Sequence, residues 1–159
     1  MEGSLSVIQA IQLILAPAVM INACGLLLLG ISNRYSMILT RVRALNEEKR
    51  RIAVRLGEKH STPEEAVRVE SLVRQIERLL VRARYARNAV LSYLGGVGMF
   101  VLTSLLIGAD FFSGVLELRI VIMSVFLAGI IAMMAGVVYA ILDTLKAYDV
   151  IRYDVLVDL

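Results

Sequence analysis

Charged residues avoid three stretches of this chain. None falls between Glu2 and Arg34, none between Arg87 and Asp110, and none between Arg119 and Asp143. A run of about 20 apolar residues crosses the roughly 30 Å hydrocarbon core of a bilayer as a helix. A soluble helix keeps a polar face, and no face of these stretches is polar enough. Inside lipid the backbone must satisfy its own hydrogen bonds, which a helix does. The stretches therefore predict three transmembrane helices, over 7–31, 89–109 and 120–142. Composition agrees. Of the 159 residues 58% are hydrophobic and 19% charged, against about 25% charged in soluble domains. That excess excludes disorder, and the single Cys excludes a disulfide scaffold.

The first stretch carries Ala16-Pro17-Ala18, which mimics the small-x-small cleavage site of a signal peptide. Three features oppose cleavage: no Lys or Arg precedes the apolar run, Gln9 and Gln12 interrupt it, and it continues to Ile31. It is expected to be retained as a span.

Charge then sets the orientation. Residues 34–87 hold 14 basic and 7 acidic side chains, a net of +7. The loop 110–119 carries −1, the tail 143–159 carries −2, and Glu2 is the one charge before the first span. Loops rich in Lys and Arg stay in the cytoplasm. The expected layout has four parts. Residues 1–33 are an outside tail and the first transmembrane helix, and 34–88 are a cytoplasmic helical hairpin. Residues 89–142 are the second and third transmembrane helices with a short outer loop, and 143–159 are a cytoplasmic, helical tail.

The insert is predicted to be ordered. Tyr35, Ile38, Val42, Leu45, Lys49, Ile52 and Leu56 are spaced by alternating threes and fours, as are Val69, Leu72, Ile76, Leu79, Ala83, Ala86 and Val90. Two such seams signal a coiled coil. Between them, Gly57 suits a helix end, and Thr62-Pro63-Glu64-Glu65 suits a capped helix start. No breaker separates Ile31 from the first arm or Ala86 from the second span. The fold class is thus an all-α membrane protein. Three transmembrane helices carry a long cytoplasmic antiparallel coiled-coil hairpin between the first and second, with arms of roughly 36 Å. Lys49 breaks the apolar seam, either snorkelling out of it or fixing its register.

Arg74, Arg78 and Arg82 are spaced by four and stack on one helix face. They read as a solvated face that keeps the hairpin soluble, or as a docking surface for a cytoplasmic protein partner, anionic lipid headgroups or the chain's own acidic tail. Arg34, Arg84 and Arg87 lie at membrane level and suit headgroups better. Acids are mixed among the arginines and aromatics are scarce, so nucleic acid is not an expected partner.

Within the spans, Ala128, Ala132, Gly136 and Ala140 form a small-residue stripe along which another helix can approach. This packing serves the bundle itself and, by expectation, a homo-oligomer. Gln9 and Gln12 fall close to one face of the first span, with Asn22 to one side. They either hydrogen-bond between helices or line a path for ions in an oligomeric channel. Pro17 denies an N–H to the carbonyl of Leu13, which predicts a kink. With one His and one Cys, no catalytic triad or metal cluster can be assembled, so neither an enzyme nor a cofactor is expected.

The run from Pro17 through Gly25-Leu26-Leu27-Leu28-Leu29 to Asn33-Arg34, followed by Arg41-Val42-Arg43-Ala44-Leu45-Asn46, resembles a bacterial membrane-protein family known as domain of unknown function 2721. The resemblance implies an inner-membrane protein and brings no established activity, so no catalytic residue carries over. It draws attention to Asn33, Arg34, Arg41 and Arg43, where the first helix leaves the bilayer. Arginines there can anchor to headgroups or to an acid such as Asp143.

Overall fold

The computed structural model describes residues 7–57, 63–113 and 118–157. The Thr62 cap, His60, Glu117 and the N-terminal Glu2 lie outside the described residues. So do the tail side chains from Tyr148 onward. Three helices account for everything described: α1 (Val7–Gly57), α2 (Pro63–Ser113) and α3 (Leu118–Val157). There is no strand among the described residues.

Length is the first consequence of the sequence pattern. α1 and α2 each have 51 residues and α3 has 40, or about 76 and 60 Å at 1.5 Å per residue. All three are long and apolar enough to cross a membrane, which makes this a multi-pass membrane protein by length and composition. Each is also longer than the roughly 30 Å of hydrocarbon that a span needs to cross. α1 passes through Pro17 without interruption, and Pro63 opens α2 where a missing N–H leaves no bond unmade.

The chain divides into two compact units. The first comprises Met1–Ile31 and Asn88–Val138 and the second Ser32–Arg87 and Tyr139–Leu159. The boundaries at Ile31 and Asn88 fall where the charge-free stretches end.

In the first unit the buried side chains are Pro17, Cys24 and Ile31 from α1, and Ala89, Tyr93, Phe100 and Thr103 from α2, with Gly96 beside them. α3 contributes Gly129 and Gly136. The glycines permit a close approach. A Cβ on Gly96 would lie 3.3 Å from the carbonyl oxygen of Gly129, so α2 and α3 meet backbone to backbone. Two aromatic rings fill the flanks. A Cβ on Gly129 would come within 2.8 Å of the Phe100 ring, and one on Gly136 within 2.8 Å of the Tyr93 ring. Phe100 also packs against Phe126, centroids 5.6 Å apart and tilted by 57°. Hydroxyls in these segments turn back on their own helix. Thr103 donates to the Met99 carbonyl at 2.8 Å, Ser104 to Phe100 at 3.1 Å and Ser124 to Ile120 at 2.7 Å, which satisfies each donor within its own helix.

In the second unit Ile38 of α1 and Leu72, Leu79, Ala83 and Ala86 of α2 are buried. Tyr35, Val42, Leu45, Lys49, Ile52, Val69 and Ile76 are half-buried. Arg68 reaches across from α2 to Glu48 of α1 at 2.9 Å, which fixes how far along each other the two segments lie. Both partners are largely exposed, so Glu48→Ala is expected to cost at most about 1 kcal/mol, less in high salt. Matched melting curves at two salt concentrations check this. Glu47 accepts from Arg50 at 3.3 Å and from Arg51 at 3.4 Å. The Arg50 hydrogen bond, then its charge, hold the Glu47 carboxyl below its ordinary value of 4.5. A depressed folded-state value gives stability present above the unfolded value and lost as pH falls through the folded one. Wild type and Glu47→Gln should therefore differ slightly at neutral pH and melt together at about pH 2.

A seven-residue spacing runs through these burial patterns. Pro17, Cys24, Ile31 and Ile38 on α1 are each seven apart, as are Leu72, Leu79, Ala86, Tyr93 and Phe100 on α2. Gly129, Gly136 and Asp143 repeat the interval on α3.

Candidate functional site

The side chains with most chemical potential gather in the second unit, in a pocket of about 340 Å³ lined by Arg34, Ile38, Arg41, Leu79, Arg82, Asp143 and Thr144, with Met37 and Ala147. Its floor is Asp143, the first charge after the apolar stretch 120–142 and only 1% exposed. A buried carboxylate demands compensation. Arg82 supplies it, with Nε 3.6 Å from Oδ1 and its own side chain 22% exposed. At that separation the two are an ion pair without a hydrogen bond. Arg82 Nε has no acceptor and Asp143 Oδ1 no donor. Next along α3, Thr144 donates to the carbonyl of Ala140 at 2.9 Å and accepts from Arg34 Nη1 at 3.0 Å. The hydroxyl thus holds one guanidinium over the pocket. Arg41 lines the same pocket with no ion-pair partner among the described residues. Among the described residues three guanidiniums and one carboxylate line the pocket, a net positive lining. Nearby, Lys146 Nζ sits 5.4 Å from the centroid of the Tyr85 ring.

The other basic candidates lie apart from this pocket. Arg82 separates from Arg74 and Arg78, although spacing by four places all three on one face. Arg74 donates to Glu70 at 2.6 Å and is mostly exposed, and Arg78 is exposed. Arg43, Arg84 and Arg87 are exposed as well. Thr144 is the polar pocket residue that sequence reasoning missed. Its signal was its position, next to the acid that ends a charge-free run.

The first unit places the amides of α1 on its outside. Gln9, Gln12 and Asn22 are exposed, whereas the buried line of that helix is Pro17, Cys24 and Ile31. Gln12 and Asn22 have no hydrogen-bond partner among the described residues. Gly25 and Gly30 face open space too. On α3, Ala128, Ala132 and Ala140 are half-buried while Gly136 is fully covered, and Gly129, one residue off that stripe, is the second close-approach glycine. A cavity of about 510 Å³ lies beside Pro17, bounded by Leu13, Thr103, Ile107, Phe126 and, at its polar edge, Asp110 and Arg119. Among the described residues no group of three or more His, Cys, Asp or Glu could hold a metal ion.

A family model described as a protein of unknown function, DUF2721, matches residues 14–153. The chain belongs to this family. The DUF2721 match takes in every residue of the basic pocket and all three apolar stretches in large part. It reaches far beyond the 17–46 region whose motifs resemble the family. No curated protein and no solved structure matches the chain. Membership in DUF2721 assigns no role to any residue, so function is argued from geometry.

Proposed function

We propose that this DUF2721 protein is a non-enzymatic, homo-oligomeric protein of the bacterial inner membrane. Its N-terminus lies outside, and its hairpin and C-terminal tail are cytoplasmic. The charged parts of α1 and α2 form an antiparallel coiled-coil hairpin that serves assembly or docks a cytoplasmic partner. The seven-residue burial spacing and the Glu48–Arg68 bridge support the coiled coil, and the +7 of residues 34–87 supports the sidedness.

The observation that carries the oligomer is the outward set of Gln12 and Asn22. An amide facing hydrocarbon loses its water and gains nothing, so such groups turn toward another helix or toward water. A second copy of α1 supplies the partner. In native membranes, Asn22→Cys is expected to give disulfide-linked dimers or larger bands on oxidation. A monomer alone would overturn the reading. A membrane-impermeant maleimide should label Glu70→Cys only from the cytoplasmic side, and labelling from outside would invert the topology.

The same outward amides favour a second reading, an oligomeric ion channel whose path is lined by the first transmembrane helix. The charge-free spans carry no proton relay, so such a path would be passive. Purified protein in liposomes decides between them. A cation or anion leak altered by Gln12→Leu and Asn22→Leu selects the channel, and absence of leak selects assembly or docking.

A further inference from the structure

In the basic pocket of the second unit the polar groups do not complete one another. Arg82 Nε lacks an acceptor and Asp143 Oδ1 lacks a donor although they stand 3.6 Å apart. Among the described residues Arg41 has no ion-pair partner, and the Arg34 bond goes to a neutral hydroxyl. An occupant must therefore bring two things at once: anionic oxygens for the guanidiniums, and a hydrogen-bond donor for the buried carboxylate. Guanidiniums match phosphate oxygens in charge and in the fork of their donors. A bare anion would meet repulsion from Asp143, and a bare cation would meet three arginines.

The position of the pocket narrows the source. Arg34 follows the end of the first apolar stretch at Ile31 by three residues, and Asp143 directly follows Leu142. In a chain that spans the bilayer, these residues stand at the height of the headgroups. The volume of about 340 Å³ is at the small end of ligand pockets, which suits a headgroup rather than a whole lipid. We propose that Arg34, Arg41, Arg82 and Asp143 bind the phosphodiester of a headgroup that also carries a hydroxyl or ammonium donor. Phosphatidylglycerol and phosphatidylethanolamine have both features; phosphatidylcholine has the phosphate and no donor. The guanidiniums take the phosphate, and Asp143 accepts from the donor.

The inference rests on the membrane-spanning reading. A chain that stays soluble without detergent would sink that reading, while a detergent-solubilised protein indifferent to lipid sinks only the inference. The test is helix melting of the full chain in an uncharged maltoside micelle, with phosphatidylglycerol, phosphatidylcholine or inorganic phosphate added. Near a hundredfold excess over Kd, phosphatidylglycerol should raise the melting temperature by roughly 5 °C or more, and phosphatidylcholine by far less. Arg34→Gln combined with Arg41→Gln should melt close to wild type without lipid and lose most of the shift. Arg41→Gln alone, at an exposed and unpaired side chain, is the safer variant and should lose part of it. An equal shift in these variants, or equal shifts with the two lipids, would overturn the proposal. Inorganic phosphate matching phosphatidylglycerol would overturn the lipid source and assign the site to soluble phosphate.

Discussion

Gly136→Leu is expected to be the most damaging single change in the first unit. An added Cβ alone would lie 2.8 Å from two carbons of the Tyr93 ring, and Tyr93 is only 2% exposed, so the ring has nowhere to retreat. Alanine sets about 1 kcal/mol of helix propensity against an overpacking cost of about 1–3 kcal/mol, and the net effect is modest. Leucine adds three further carbons to the same gap and pushes α3 off α2, undoing the close approach at Gly96 and Gly129. A loss above about 3 kcal/mol follows, or a melting temperature lower by roughly 6–12 °C for a chain of this size. Helix melting in detergent measures it. Two companions make the interpretation specific. Gly98→Ala, where a Cβ meets nothing within 4 Å, should be neutral or slightly stabilising. Tyr93→Ala should recover part of the loss in the Gly136→Leu background and cost stability by itself, because the two positions share one space. Simple addition of the two effects would refute the packing described.

Asp143→Leu should cost about 3–5 kcal/mol, because it leaves the Arg82 guanidinium beside an apolar wall. The pair is worth little in itself. It buries a charge and forms no hydrogen bond within the pair, so removing both members together is the informative experiment. Arg82→Met with Asp143→Leu is expected to restore most of the lost stability, as apolar replacements of buried ion pairs do. Arg74→Gln, at an exposed pair on the same helix, should change melting by well under about 1 kcal/mol. A double variant no better than Asp143→Leu would show that the acid does more than balance Arg82.

The parts legible in the sequence were those that repeat. Missing charge marked the three apolar helices, and alternating steps of three and four marked the residues now buried or half-buried between 35 and 90, such as Ile38, Leu72 and Leu79. What escaped was which of several distant candidates would pair. The sequence offers the acidic tail, and Asp143 in particular, to the arginines as a group; Arg82 takes Asp143, 61 positions away on α3, while Arg74 on the same stripe turns to Glu70. Glu48 and Arg68 each had nearer candidates on their own helix and chose each other. Helical spacing tells which side chains share a face, and only the fold tells what that face meets. The stripe on α3 shows the same limit. Spacing by four singled out Gly136 with three alanines, while the interval of seven that joins Gly129, Gly136 and Asp143 follows the partner helix. A helix packed along its length against another keeps a repeat near 3.5 residues, so the sevens are the better guide to contact.

The single thiol of the chain, Cys24, is fully enclosed between the helices of the first unit. A maleimide can reach it only when that unit opens, so its labelling rate is a clock for opening, supplied by the natural sequence. The same shuttering leaves the wild-type background silent to brief labelling. A cysteine placed at an exposed position outside the apolar stretches, such as Glu70, then reports alone, and neither experiment requires the native thiol to be removed.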